Sequence, residues 1–171
     1  MPDWIDRLHT ALVAVPTRAW LAVLAALVLQ RLARRLGMWA YAMLALPGTL
    51  AHELAHYGVA WVLRGDPRLP TLWPERNAQG WRLGSVAFRA PWWRAGPIAL
   101  APLMLLPASL AWIAWLVADA RGAWLALHAW IAGTLLSAAL PSRTDLRIAA
   151  PSLLVLGVAL VAYALWRVHA A

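Results

Sequence analysis

The amino-acid sequence predicts an all-α membrane protein with about five transmembrane helices and a short hairpin-like loop between the second and third. Of its 171 residues, 63% are hydrophobic and 13% are charged, whereas soluble domains are about 45–50% apolar and about 25% charged. Long apolar runs follow one another along the chain, and arginine and tryptophan residues lie near their ends, as they do at lipid headgroups. We therefore treat residues 1–171 as a single integral membrane domain of the cell membrane.

The charge and the cysteine content exclude several classes of protein. The net charge is +8, and all 15 basic residues are arginine. A nucleic-acid-binding protein would cluster these residues on one polar face. Here they lie in the gaps between apolar runs, so we exclude nucleic acid as a partner. The chain has no cysteine, which excludes disulfides, thiolate metal sites and cysteine nucleophiles.

Proline interrupts each of the first two predicted spans. Span one covers about residues 10–30 and contains Pro16. Span two covers about residues 38–63, which is roughly 39 Å of helix and exceeds the hydrocarbon core of about 30 Å. Because proline removes a helical hydrogen bond, we expect a kink or a locally unwound turn at Pro47 and Gly48.

Residues 64–94 form one sizeable polar loop, with six arginines and several helix-breaking prolines and glycines. The alternation between residues 70 and 88 is typical of a β-hairpin, with its turn near residues 77–80. The rest of the chain divides into three apolar spans and one polar turn: spans at residues 96–117, 122–140 and 149–166, and a turn at residues 141–147.

The second predicted span carries a group of ionisable side chains. Residues 51–56 read Ala-His-Glu-Leu-Ala-His, which is the pattern H-E-x-x-H. His52 and His56 lie one helical turn apart on the same face, so both can bind a single Zn²⁺ ion. Glu53 is offset by about 100° around the helix; we assign it as the general base acting on a zinc-bound water. Because ionisable groups inside a span usually mark a functional site, we favour a metal site over a buried hydrogen-bonded cluster.

A catalytic zinc site needs a third protein ligand, and the two leading candidates are Asp145 and His128. Spans two and four run in the same direction, so Asp145 follows span four at the face where span two ends. Pro141 would let the chain dip back toward the histidines by breaking the helix. We choose Asp145, because a carboxylate is a normal zinc ligand and lowers the net charge of a buried site. His128, inside span four, is the alternative.

Three segments resemble the site-2 protease class of intramembrane zinc metalloproteases. The first is the H-E-x-x-H motif of residues 51–56. Residues 95–97 (Ala-Gly-Pro) are similar to the Gly-Pro that opens the next helix of that family, and residues 140–145 resemble its segment with a proline and then the aspartate ligand. The resemblance is that of a minimal, divergent member, and it implies a three-helix metalloprotease core over residues 38–150. It also implies a zinc cofactor and the hydrolysis of peptide bonds in membrane-protein substrates within the lipid bilayer.

Two other functions fit the same residues. One is a non-proteolytic membrane metal-binding or transport protein, which predicts that Glu53 is replaceable and that Asp145 is a solvated loop residue between Arg143 and Arg147. The other is a membrane zinc hydrolase that acts on another amide, such as a lipid-linked one. We favour a zinc metallopeptidase because of the H-E-x-x-H motif.

Overall fold

Helices account for most of the chain in the computed structural model, which describes residues 3–77 and 80–169. The predicted all-α class is therefore confirmed. In chain order the helices are α1 Asp3–Val13, α2 Thr17–Leu36, α3 Met38–Val62, α4 Trp92–Leu100, α5 Leu105–Trp112, α6 Gly122–Ala138 and α7 Arg143–His169. A 3₁₀ turn, Ala101–Met104, joins α4 to α5, and a π-helical turn, Ile113–Val117, extends α5.

Two helical stretches within residues 3–77 and 80–169 are long and apolar enough to cross a membrane, Trp92–Val117 and Arg143–His169. Counting α1 and α2 as one bent span makes three. These stretches are compatible with a membrane protein, but by length and composition they do not support all five predicted spans. α3 has 25 residues but carries the ionisable motif, and α6 has only 17 residues.

The first predicted span, residues 10–30, is two helices that meet at an angle of 88°. α1 ends at Val13, and Pro16 stands just before α2 with an extended backbone. The reason is local, because proline has no N–H with which to continue α1 and disfavours helical geometry in the residue before it. The break leaves Val15 buried in an apolar cluster between α2, α6 and the π-helical turn.

α3 continues without interruption through Pro47 and Gly48, so the predicted local unwinding is wrong. The neighbouring α6 supports this geometry. A Cβ on Gly48 would collide with the backbone carbonyl of Thr134, so the two helices lie very close together at this point. Packing of this kind can offset the cost of about 3 kcal/mol for a proline inside a helix.

The polar segment between α3 and α4 contains the predicted hairpin, which is confirmed. Its strands, β1 Thr71–Asn77 and β2 Gly80–Ser85, pair antiparallel. The predicted turn near residues 77–80 falls partly outside the described residues. Backbone hydrogen bonds close the base of the segment, including one of 2.7 Å from the N–H of Arg89 to the carbonyl of Gly65. The N–H of Gly65 in turn donates a 2.7 Å hydrogen bond to the carbonyl of Ala60, which ties this base to the end of α3.

α7 begins earlier than the predicted fifth span. Residues 143–147 form its first turn, so the polar turn predicted for residues 141–147 is wrong beyond Ser142. The Oγ of Ser142 accepts a hydrogen bond of 3.2 Å from the N–H of Asp145, which satisfies one of the free N–H groups at the start of a helix. Asp145 therefore lies on a helix and not in a loop.

Candidate metal centre

Three side chains from two helices converge at one point in the protein. His52 and His56 lie one turn apart on α3, and Asp145 lies in the first turn of α7. The two histidine Nε2 atoms are 3.2 Å apart. Asp145 Oδ2 lies 3.5 Å from Nε2 of His52, and Asp145 Oδ1 lies 3.4 Å from Nε2 of His56. The structure thus brings together the three residues predicted from the sequence as metal ligands.

A backbone carbonyl orients each imidazole. Nδ1 of His52 lies 2.7 Å from the carbonyl oxygen of Ala138, and Nδ1 of His56 lies 2.8 Å from that of Ile98. A carbonyl oxygen only accepts hydrogen bonds, so each Nδ1 carries the hydrogen and donates it. In the neutral ring Nε2 is then left with a free lone pair, which is the form that binds a metal.

The carboxylate of Asp145 is fixed by the start of α7. Its Oδ2 accepts a hydrogen bond of 2.7 Å from the N–H of Ser142, while Ser142 Oγ accepts one from the N–H of Asp145. This reciprocal pair is a capping box. Asp145 is only 9% exposed, so the solvated aspartate that a non-proteolytic protein predicts is not what the structure contains.

The converging atoms fit a single metal ion. Two imidazole nitrogens with free lone pairs and one carboxylate lie close together at this point. All three groups are electron-pair donors to a cation, so a cation is the ligand that this set can bind. Ligands at 2.0–2.1 Å in tetrahedral geometry stand about 3.3–3.4 Å from one another. The two histidine Nε2 atoms, 3.2 Å apart, are close to this value. Each Nε2 lies 3.4–3.5 Å from a different carboxylate oxygen of Asp145, and one ligand atom from each of the three residues lies within 4.8 Å of the others. His52, His56 and Asp145 therefore lie close enough to hold a metal ion.

His128, the alternative third ligand, lies in a different environment. Its ring is stacked on Trp124, with ring centroids 6.0 Å apart, and tilted against Trp112 at 5.8 Å. It does not belong to the group of metal-ligand side chains found among the described residues. The geometry therefore favours Asp145 as the third ligand.

Glu53 is buried beside the three side chains of the candidate metal centre and lines a cavity with His52. The side chain is 5% exposed, and the cavity has a volume of about 290 Å³. Gly84 of β2 packs directly on the carboxyl group, since a Cβ at this glycine would stand 2.7 Å from Glu53 Oε1. Arg34 and Tyr41 also line the cavity, and an Arg34 N–H donates a 2.8 Å hydrogen bond to the Tyr41 hydroxyl.

Several groups in this centre were not predicted from the sequence. The carbonyls of Ile98 and Ala138 belong to the backbone, and their contacts with the histidines depend on tertiary packing. Gly84 has a weak signal, because a glycine inside a strand often marks a close approach of another group to the backbone. Arg34 and Tyr41 come from two helices, and their meeting at the cavity depends on tertiary packing.

The comparisons with known proteins give no match. No protein-family model matches the chain, and no curated protein or solved structure matches it either. The class of protein is therefore defined by its own geometry: a mostly helical chain, compatible with a membrane, whose His₂Asp group is able to hold a metal ion.

Proposed function

We propose that this protein is a zinc-dependent intramembrane protease that resembles the site-2 protease class. The observation that carries the proposal is the position of buried Glu53 beside His52, His56 and Asp145, at a cavity among apolar helices. A buried acid that is not a ligand is costly in a membrane and marks a functional group. A hydrolase needs one as its general base.

Zinc is the metal that this set of ligands favours. Two imidazole nitrogens and one carboxylate are typical of catalytic zinc sites that keep a fourth position open. Calcium and magnesium instead take oxygen ligands, usually about six or more. We therefore propose Zn²⁺ as the cofactor, held by Nε2 of His52, Nε2 of His56 and the carboxylate of Asp145.

In the proposed reaction one water molecule is added across a peptide bond, which breaks into a carboxyl group and an amine. Zinc, when bound, supplies Lewis-acid activation of the scissile carbonyl and of water. Glu53 takes a proton from the attacking water as the new C–O bond forms. It returns this proton to the nitrogen as the C–N bond breaks. Thr49, Thr134 and Ser142 are among the polar residues that line the cavity.

We also propose that five helical segments cross the cell membrane. Two stretches have the required length and hydropathy by themselves, and bent α1–α2 is a third. α3 is long enough, and the ionisable residues that lower its hydropathy are those of the site. α6, with 17 residues, is at the lower limit for a span. The substrates of a site inside such a bundle are membrane proteins.

The hairpin offers a way to hold a peptide substrate in an extended conformation. β2 lies against Glu53 through Gly84. In a two-stranded sheet the outer edge of each strand keeps backbone N–H and C=O groups that an added strand can pair with. A substrate strand beside β2 would satisfy its own backbone groups, which is a requirement within a bilayer.

The size of the cavity also supports a second candidate function. A volume of about 290 Å³ is near the lower end of small-molecule pockets, which run from about 300 to 1,000 Å³. A membrane zinc hydrolase acting on a small or lipid-linked amide would use the same residues in the same roles.

The test of the proposed function uses the full-length chain, loaded with zinc, in lipid nanodiscs. We expect it to cleave members of a library of single-span peptides, with the cleavage sites identified by mass spectrometry. A chelator should abolish cleavage, and added zinc should restore it, because the ligands bind the ion reversibly. Turnover of lipid-linked amides with no peptide cleavage would select the second candidate, and no turnover of either by zinc-loaded protein would contradict a hydrolase.

Substitution Gly84→Ala is expected to reduce hydrolysis and leave zinc binding unchanged. The new Cβ would press on the carboxyl group of Glu53, and a misplacement of about 1 Å can cost up to about 100-fold in rate. The matched control is Gly80→Ala, because Gly80 also has a positive φ but no atom of the described residues lies within 4 Å of its Cβ position. Equal rates for the two variants would contradict the contact with Glu53.

A further inference from the structure

Pro102 stands where a helical hydrogen bond would compete with His56. In an α-helix a carbonyl accepts a hydrogen bond from the N–H four residues later. For Ile98 that residue is Pro102, which has no N–H. The Ile98 oxygen accepts the N–H of Ala101, and its second lone pair accepts Nδ1–H of His56 at 2.8 Å.

Pro141 stands in the corresponding place for His52, at the end of α6. The Ala138 oxygen would accept the N–H of residue 141 in a 3₁₀ turn, or that of residue 142 in an α-helix. Residue 141 is proline, and the N–H of Ser142 donates to Asp145. The Ala138 oxygen is thereby free to accept Nδ1–H of His52 at 2.7 Å.

We propose that Pro102 and Pro141 are positioning residues of the metal centre. Each withholds a backbone N–H from a carbonyl that has to stay available to a metal-binding histidine. The carbonyl then holds the hydrogen on Nδ1 and aims the Nε2 lone pair at the metal position. This inference rests on the proposed zinc site, and it adds that interruptions of two helices orient the two imidazoles.

Backbone orientation of this kind suits an apolar environment. In many zinc proteins a carboxylate accepts the second N–H of the ligating histidine. Inside a bilayer, each further carboxylate would be one more costly buried charge. A backbone carbonyl that proline leaves free can accept the same N–H of the histidine without adding a charge. The third ligand follows the same principle, because Asp145 is held by the N–H of Ser142 at the start of α7.

The test measures the Zn²⁺ dissociation constant of the full-length protein in nanodiscs, by competition with a chromophoric chelator. Pro102→Ala restores an N–H that competes for the Ile98 oxygen. Loss of such an orienting partner typically weakens metal binding by about 10–100-fold, and we expect this for Pro102→Ala and for Pro141→Ala. Pro107→Ala is the matched control, because the carbonyl four residues before it, on Leu103, is not one of the two that the histidines use.

A second variant separates the missing N–H from the proline ring. In this variant lactic acid, the ester analogue of alanine, replaces Pro102, so that residue 102 lacks both the ring and the N–H. We expect this ester variant of the protein to bind zinc as tightly as the wild type. The inference is overturned if Pro102→Ala also binds as tightly as the wild type, or if the ester or Pro107→Ala binds as weakly as Pro102→Ala. Wild-type protein that binds no zinc would overturn the proposed function as well, so the two failures are distinguishable.

Discussion

Replacing Glu53 by glutamine is expected to abolish hydrolysis while the protein still binds zinc. Glutamine keeps the size and shape of the side chain that packs against Gly84, but its amide cannot take up a proton. General acid–base catalysis contributes about 10²–10⁴-fold, so the rate should fall by at least about 100-fold. The zinc content should stay at the wild-type level, because His52, His56 and Asp145 are unchanged.

The chain offers a matched control for this substitution. Its other glutamate is Glu75, which lies exposed on β1. Glu75→Gln makes the same chemical change outside the cavity and should leave the rate unaltered. Cleavage of the peptide library and metal content by mass spectrometry are measured for both variants. Near wild-type cleavage by Glu53→Gln would contradict the general-base assignment, and it is what a non-proteolytic metal protein predicts.

The two histidines and Glu53 could be predicted from the sequence because one helix sets their relative positions. Any helix places residues four apart on one face, whatever the rest of the chain does. The position of Asp145 is harder to predict, because it depends on where α7 begins. Even so, Ser142 and Asp145 have the spacing of a capping box, so a local signal for the start of this helix was present.

Features that depend on contacts between helices could not be predicted in the same way. The sequence predicts a kink or a locally unwound turn at Pro47 and Gly48, but α3 is a continuous helix there, and Gly48 packs closely against Thr134. Pro16 also lies inside an apolar run, and there the helix does break, at 88°. A proline is therefore compatible with a continuous helix as well as with a broken one. The reason is that tertiary packing can offset the free-energy cost of about 3 kcal/mol for a proline inside a helix.

The contacts between the two histidines and the carbonyls that orient them also depend on how the helices pack. A free carbonyl exists wherever a helix is interrupted, and in the structure Pro102 and Pro141 stand just after the ends of α4 and α6. Which ring meets which carbonyl depends on how α3 lies between α4 and α6. The sequence therefore predicts the ligands of the candidate centre but not the groups that hold them in place.

Substitution Asp145→Ala is expected to remove both zinc and activity, whereas His128→Ala should keep both. Asp145 lies within 3.5 Å of both histidine Nε2 atoms, so its removal leaves two ligands for the metal. The effect on affinity should exceed the roughly 10–100-fold that follows from losing an orienting partner. His128 is stacked on Trp124, so its removal should change packing there and not the metal centre.

Asp145 also accepts the N–H of Ser142 in the capping box of α7, so Asp145→Ala combines loss of a ligand with loss of this hydrogen bond, and a hydrogen bond to a charged group contributes about 1.5–3 kcal/mol. Asp145→Asn separates the two effects, because the amide oxygen of asparagine can still accept the N–H of Ser142 but the side chain carries no negative charge. We expect Asp145→Asn to keep the thermal stability of the metal-free protein and still to lose zinc, as measured by unfolding in detergent and by chelator competition. Retention of zinc by Asp145→Ala together with loss of zinc by His128→Ala would transfer the third ligand to His128, and it would also remove the resemblance to site-2 proteases at residues 140–145.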